Sequence, residues 1–556
     1  MKVLIVGGVA AGMKTAARLR RRDKDAEITV LERGPEVSYG ACGFPYYIGD
    51  VVKNFAAFNS GPHGIRDPEF FRSVKGVKVL TGHEVTGINC QEKTVNVKVL
   101  ATGENLVLPY DKLVLGTGST PVKLNISGAD LPGVHNFWFP WNVLAVKTEL
   151  KEFQVKDVAI IGAGLIGMEL AENFRALDLN VHVIEMQSQI LPQMLDPELA
   201  DWVLMQLKDS KINFHLNSKT LAIEGEKRVA GVRTDKGLIP AQLVIMAAGV
   251  RPNSELAQAA GLKLGVKNTI SVNEKMQTSD PDIFAAGDVA ENTNLVNGAK
   301  CFAPMGSTAN KHGRVIADIL AGDQVTFPGV LQTGICKIMN LEAGSTGLNG
   351  RNAQDIDVVS VTVPGFDRLG YMPGASRLIV KLFADRKTHK VLGAQAVGFG
   401  GVDKRIDTIA MALTKGMTLE ELSNIDVAYA PPFNGPIDNV ATAANVLLNK
   451  IEGRLRGISA LEWRKLKANP EYTLVDVRTP AEFKAKHIAG CAHIVNLPLT
   501  EIRDKAKEIL TDKTQKYVTV CLIDLRGYEA EVMLRAQGYD VQSLEGGMSA
   551  WPYEVE

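Results

Sequence analysis

The chain opens on two short apolar runs separated by a basic amphipathic stretch. Lys2–Val6 is uniformly apolar after its lysine, the pattern of a strand covered on both faces. Gly7-Gly-Val-Ala-Ala-Gly12 interrupts it, a helical pattern follows through Arg22, and Glu27–Leu31 is a second strand closing on Glu32. The same order recurs at Asp157–Met186: strand Val158–Ile161, loop Gly162-Ala-Gly164-Leu-Ile-Gly167, helix to Leu177, and strand Val181–Ile184 ending on Glu185. His83–Pro109 alternates like hairpin strands, with polar turns at Gln91-Glu-Lys and Thr102-Gly-Glu-Asn. Farther on, a helix running to Leu320 follows Phe302. Strands are expected at Val358–Val363, Leu378–Phe383 and Val391–Val397, with helices from Asp403 and Ala441. Lys450–Gly457 reads as a basic linker, and Val518–Val520 is a strand ending at Cys521.

Each repeated strand–loop–helix–strand–acid unit has the parts of a dinucleotide site. The glycines Gly7, Gly12, Gly162, Gly164 and Gly167 permit a tight turn and close backbone approach to a pyrophosphate at the helix N-terminus. The terminal acids Glu32 and Glu185 are placed to bond ribose hydroxyls. Val9 replaces the middle glycine of the first loop, whereas the second loop is complete. Two such units in one chain imply two nucleotides with electrons passing between them.

A chain of 556 residues holds three or four domains. Its 22% charged and 46% hydrophobic residues suit a soluble globular protein, and 62 acids against 62 bases argue against nucleic-acid binding. Six scattered cysteines, with no close pair, form neither a disulfide framework nor a Cys-x-x-Cys metal motif. A reducing cytoplasm and no metal are the expectations. Met-Lys followed by Val3–Gly12 mimics a signal peptide, but cleavage there would destroy the first glycine loop. No uncharged apolar run reaches the roughly 18 residues of a membrane span, so no membrane association is expected.

One cysteine stands apart. Cys42 lies within Val37–Gly49, which is polar, Gly-rich and turned by Pro45, unlike the apolar surroundings of a core cysteine. The helix before it carries Lys14, Arg18, Arg21 and Arg22, and the spacing of Lys14, Arg18 and either Arg21 or Arg22 groups three cations on one face, suited to phosphates.

The run Ser38-Tyr-Gly-Ala-Cys42-Gly-Phe-Pro-Tyr-Tyr resembles the active-site segment of coenzyme A disulfide reductases, single-cysteine members of the pyridine nucleotide-disulfide oxidoreductases. The variety resembled most is the NADH-dependent coenzyme A persulfide and polysulfide reductase with a fused rhodanese domain. Thr278–Asp288 resembles the second flavin motif of that superfamily, and Leu113–Ser119 and Ala247–Arg251 its crossover strands. This resemblance implies an α/β fold of two nested Rossmann-like dinucleotide-binding domains, an α+β dimerisation domain and a C-terminal α/β rhodanese domain. The implied boundaries are 1–117 with 249–326 for FAD, 118–248 for NADH, 327–450 for dimerisation and 458–556 for the rhodanese.

Its implied site residues are Cys42 as the redox cysteine; Arg33, Thr117 and Asp288 on the flavin beside Gly7, Gly12 and Glu32; and Lys14, Arg18, Arg21, Arg22 and Ser38 on coenzyme A. Ala428-Tyr429-Ala-Pro-Pro-Phe433 resembles the tail by which one subunit of a homodimer closes its partner's site, implicating Tyr429 and, more weakly, Tyr371. The rhodanese resemblance rests on Leu474–Arg478, Glu482-Phe, His487-Ile-Ala-Gly and Leu544–Trp551, with Cys521 as its sulfur carrier. The chain departs from the family at Ala41, where Asn is usual. It departs again at Asp524, where rhodaneses usually have Gly and a carboxylate would repel an anionic sulfur. A second cysteine five residues after the first is absent, Tyr47 standing there, so Cys42 cycles through a mixed disulfide, persulfide or sulfenic acid.

The expected reaction is flavin-dependent reduction of coenzyme A persulfide, polysulfide or coenzyme A disulfide by NADH. The competing readings are an NADH oxidase or peroxidase cycling Cys42 through sulfenic acid, and a non-enzymatic redox sensor or sulfur relay. Intact Gly162–Gly167 speaks against the last.

Overall fold

The computed structural model describes residues 1–62, 64–353 and 355–556, which form two compact units. The first comprises Met1–Met186 and Asn213–Val330; the second comprises Gln187–Ile212 and Leu331–Glu556.

In the first unit, five parallel strands lie in the order Ile283–Ala285, Lys112–Leu115, Lys2–Val6, Glu27–Glu32, Lys78–Thr81. Val3, Ile5, Val30, Leu113, Val114 and Ile283 are completely buried, as a parallel sheet covered on both faces requires. The helix Ala10–Arg22 covers this sheet and crosses the helix Gly306–Leu320 closely. That crossing depends on Gly313: a Cβ there would stand 2.6 Å from the Ala11 oxygen. A second parallel sheet orders Val134–Asn136, Leu243–Met246, Asp157–Ile161 and Asn180–Ile184. The antiparallel pair Ser119–Pro121 and Val250–Pro252 joins the two halves, as the crossover reading expects. His83–Asn89, Thr94–Val99 and Asn105–Pro109 form the anticipated antiparallel meander.

The second unit contains an antiparallel sheet ordered Gly334–Ile338, Leu341–Gly347, Val391–Gly398, Arg377–Asp385, Val358–Phe366. Helices Val402–Lys415 and Asn439–Ile451 pack on it. Gln187–Ile212, which falls inside the stretch 118–248, packs with this unit. Buried Lys381 holds it through Asp196 Oδ2 at 2.7 Å and Glu198, while Gln395 exchanges two hydrogen bonds with Asp196. A parallel sheet in the order Gly457–Ile458, Asp540–Leu544, Lys516–Val520, Tyr472–Asp476, His493–Asn496 ends the chain.

Lys450–Gly457 is less of a linker than its composition implies. The helix Asn439–Ile451 runs into it, and Gly457 already pairs with Ser543. Lys450 Nζ donates to the Ser360 carbonyl at 2.9 Å and is ion-paired with Glu545. A buried carboxylate needs that cation, which removes the freedom a basic linker would have.

Candidate active site

The first glycine loop borders a cleft of about 1060 Å³ within the first unit. Gly7 has φ of 107°, and a Cβ there would lie 2.1 Å from the Gly116 oxygen. A Cβ on Gly12 would lie 1.9 Å from the Gly7 oxygen. Glu32 accepts from the Gly8 N–H through Oε2 and from the Gly34 N–H through Oε1, both at 2.7 Å. These bonds fix its carboxylate at the cleft wall, where it can still accept from a ribose.

Asp288 lies on the same cleft and accepts from Ser119 Oγ at 2.6 Å; burial holds its carboxyl above the usual range. Behind it is His312, fully buried, a residue that sequence reasoning passed over. The Gly287 N–H donates to His312 Nδ1 at 3.2 Å, so Nε2 carries the proton and donates to Asn292 Oδ1 at 3.1 Å. Burial pushes the imidazole down to about 3, keeping it a neutral brace for the Gly287-Asp288 turn. Thr117 lines the cleft while its hydroxyl donates to the Asn253 carbonyl at 2.7 Å. Arg33 lines it too, with its guanidinium 6.0 Å above the Phe139 ring.

Cys42 also lies on this cleft, in the exposed single turn Ala41–Gly43. Aromatic packing sets that turn. Phe44 stacks on Tyr39 and Phe55 and meets Phe58 edge-on, and a Cβ on Gly43 would strike the Phe58 ring at 2.4 Å. Tyr47, where a second cysteine would stand in two-cysteine relatives, packs edge-on against Phe55 and Phe58 and lies under Lys147. Burial, then the carboxylates of Glu169 and Asp288, push the Cys42 thiol up. Its thiolate therefore gains nothing from these side chains and depends on what fills the cleft. Glu169, also unforeseen, is raised to about 7 by burial and by Glu172. No local pattern marks it, because its effect comes from packing around the helix Leu165–Ala176.

The structure divides the four basic residues of the first helix. Lys14 and Arg21 line the cleft, together with Ser38. Arg18 and Arg22, expected beside them, are not among its lining residues. Arg18 makes a fork to Asp318 at 2.8 and 2.9 Å, and Arg22 bonds Asp323 at 2.7 and 2.8 Å. At about 100° per residue, Arg21 falls about 20° from Lys14, while Arg18 and Arg22 rotate about 40° and 80° the other way. The close helix crossing at Gly313 brings the carboxylates within their reach.

The second glycine loop repeats the first. Gly162 has φ of 113°, Gly167 would clash with the Gly162 oxygen at 2.1 Å, and Glu185 accepts from the Ala163 N–H at 2.9 Å. A Cβ on Gly164 would meet nothing within 4 Å, leaving open the place where a pyrophosphate would approach.

In the second unit, the loops carrying Tyr371 and Tyr429 meet: the Leu369 N–H donates to the Pro431 carbonyl at 3.4 Å. Both tyrosines are exposed, as are Phe433 and Ile437 beside them. Cys521 is buried, and the backbone N–H groups of Gly527 and Ile523 and the Arg526 guanidinium favour its anion. Burial pushes its thiol up. Asp524 does not open this cradle: it adopts the left-handed conformation, φ 75°, and its buried carboxyl accepts from Ser543 Oγ.

The first unit thus defines a class of reductase with two dinucleotide sites and one exposed cysteine among the described residues, and FAD fits the cleft that joins Gly7, Glu32, Asp288 and Cys42. Residues 1–301 match the pyridine nucleotide-disulphide oxidoreductase family, and the chain belongs to it. Residues 333–441 match that family's dimerisation domain and residues 459–553 a rhodanese-like domain. A Pyrococcus furiosus protein named NAD(P)H sulfur oxidoreductase (CoA-dependent) is 38% identical over 448 residues, 80% of this chain and 99% of its own. A Methanocaldococcus jannaschii protein named NADH oxidase is 36% identical over 457 residues, 82% of this chain and all of its own. The solved NAD-dependent persulfide reductase from A. fulgidus is 39% identical with a TM-score of 0.93, covering 99% of this chain and 100% of that one.

Proposed function

We infer that this enzyme uses NADH to reduce coenzyme A persulfide, polysulfide or coenzyme A disulfide, through bound FAD and Cys42. The observation that carries this is one cleft holding a dinucleotide loop, a lone accessible cysteine, and two first-helix cations, Lys14 and Arg21, without carboxylate partners among the described residues. FAD, held by Gly7, Gly12, Glu32 and Asp288, would supply two-electron transfer between NADH and sulfur. The residues of the chain do the rest. Lys14 and Arg21 hold phosphates of coenzyme A, and Ser38, on the same cleft, contacts the same ligand. Cys42 attacks a sulfur of the persulfide. Attack on the outer sulfur expels coenzyme A thiolate and leaves a Cys42 persulfide; attack on the inner sulfur expels hydrosulfide and leaves a Cys42–coenzyme A disulfide. Glu169, raised to about 7, is suited to hold a proton near these leaving groups.

The test is NADH oxidation with coenzyme A persulfide under anaerobic conditions, with sulfide release measured and the Cys42 peptide followed by mass spectrometry. A coenzyme A or sulfur adduct on Cys42 is the expected result. The name of the Methanocaldococcus relative favours a second reading, an NADH oxidase. Oxygen-dependent turnover with only sulfenic acid on Cys42 would establish it.

Glu185 sets the expected coenzyme preference. Its carboxylate sits where an adenine ribose binds and repels a 2′-phosphate, so NADH should be used at least about ten-fold more efficiently than NADPH. Equal kcat/KM for the two would refute this.

The working state is a homodimer in which Tyr429, with Tyr371 beside it, acts on the partner's cleft. Exposed Tyr371, Tyr429, Phe433 and Ile437 form an apolar set that a monomer would leave in water. Light scattering should give a dimer. Tyr429→Phe should lower kcat about ten-fold or more without dissociating it, as expected for loss of a proton donor.

At the other end of the chain, Cys521 carries sulfane sulfur as a persulfide within its backbone cradle.

A further inference from the structure

We propose that Asp524 is a positioning residue for Cys521 whose carboxyl, when ionised, opposes negative charge on the sulfur, so that the rhodanese loop holds an anionic sulfur best while this carboxyl is protonated. The proposal rests on the persulfide-carrier reading of Cys521.

The geometry places the carboxyl directly under the cradle. A Cβ on Gly527 would stand 2.9 Å from Asp524 Oδ1, 2.9 Å from Ser543 Oγ and 3.7 Å from the Cys521 nitrogen. The Gly527 N–H is among the groups that lower the Cys521 thiol. A left-handed conformation strains a non-glycine residue, and the bond from Ser543 Oγ holds it here.

The charges around Asp524 leave it no cation. Lys450, from the helix Asn439–Ile451, is taken by Glu545. Glu531, about two helical turns along in Leu525–Ala536, takes Arg535 and the Arg456 N–H, each at 3.0 Å. Arg526 is engaged by Glu482 at 2.8 and 3.1 Å and by Cys521. Asp524 therefore faces Glu545 and Glu531 with the Ser543 hydroxyl and the field of the already paired Lys450 for support, and has no ion pair among the described residues. Burial first, then those two carboxylates, raise it to about 7. Its charge in turn raises the Cys521 thiol beyond what burial alone does. Negative charge on the sulfur and on Asp524 disfavour each other, and the pair titrates as a unit.

Sulfur loading illustrates the consequence. Cys521 thiolate attacks the outer sulfur of thiosulfate, a new S–S bond forms, the donor S–S bond breaks, and sulfite leaves with its electron pair. No net oxidation occurs, and the persulfide keeps one negative charge. Below about pH 7 Asp524 is neutral and the cradle holds that charge; above it, ionised Asp524 opposes it.

The experiment uses the full-length protein, its Asp524→Asn and Asp524→Gly variants, and Cys521→Ser as the blank. Cys521 is alkylated by iodoacetamide from pH 6 to 9.5 and its peptide quantified by mass spectrometry. The readout is the pH midpoint, which does not depend on how accessible the sulfur is. Both variants should titrate at least about one unit lower than wild type, with about ten-fold faster alkylation on the rising limb. After loading with thiosulfate, wild type should lose persulfide occupancy above about pH 7, whereas the variants retain it. Asparagine can accept the same bond from Ser543, so a purely structural role leaves Asp524→Asn with the wild-type midpoint; that result overturns the proposal. If wild type takes no sulfur at any pH while the midpoints shift as expected, the carrier reading falls and the charge coupling stands.

Discussion

Cys42→Ser is expected to lower NADH-dependent reduction of coenzyme A persulfide and disulfide about a thousand-fold or more while leaving FAD bound. The cleft wall at Gly7, Glu32 and Asp288 is held by bonds that do not involve Cys42, so the cofactor site survives the change. The hydroxyl of serine is not ionised near neutral pH, and no other cysteine lies on the cleft to replace the sulfur. Tyr47 occupies the place of the second cysteine in two-cysteine relatives and is packed among aromatics. The same substitution should remove the long-wavelength absorbance that a thiolate gives against oxidised flavin. A band that persists in Cys42→Ser would mean that another group faces the flavin.

The second large effect separates stability from coenzyme binding in one loop. Gly164→Ala should raise the KM for NADH about ten-fold or more and leave the melting temperature unchanged or slightly higher. The residue has φ of −78°, which alanine adopts freely, and its Cβ would meet no protein atom within 4 Å. That empty space is what the pyrophosphate needs. Gly162→Ala should do the reverse: with φ of 113° and a Cβ 2.4 Å from the Ala247 oxygen, it strains the fold itself. Thermal melts and NADH titrations of the two variants decide it. Equal melting temperatures, or an unchanged KM in Gly164→Ala, would show that the loop does not receive the coenzyme as drawn.

The sequence by itself determined the features whose physics is local. The glycine loops are legible because a tight turn before a helix demands particular residues at fixed offsets, and Lys2–Val6 and Asp157–Ile161 read as buried parallel strands because both faces must be apolar. Cys42 stood out because polar, glycine-rich flanks are wrong for a core cysteine. The order of domains followed from such segments, as did the family.

Tertiary structure decided what depends on partners far along the chain. Helical spacing grouped Lys14, Arg18 and Arg21, but Asp318, 300 residues beyond Arg18, withdraws that residue from the cleft. Composition made Lys450 part of a linker, and Glu545 made it an anchor. Gln187–Ile212 follows a nucleotide-binding motif in sequence, yet buried Lys381 draws it into the other unit. At Asp524 the residue type suggested repulsion of an anion, and only the fold shows the carboxyl turned under the loop and held by Ser543. Charge pairing and burial are set by which surfaces meet, and nothing in a short stretch of sequence encodes the far partner.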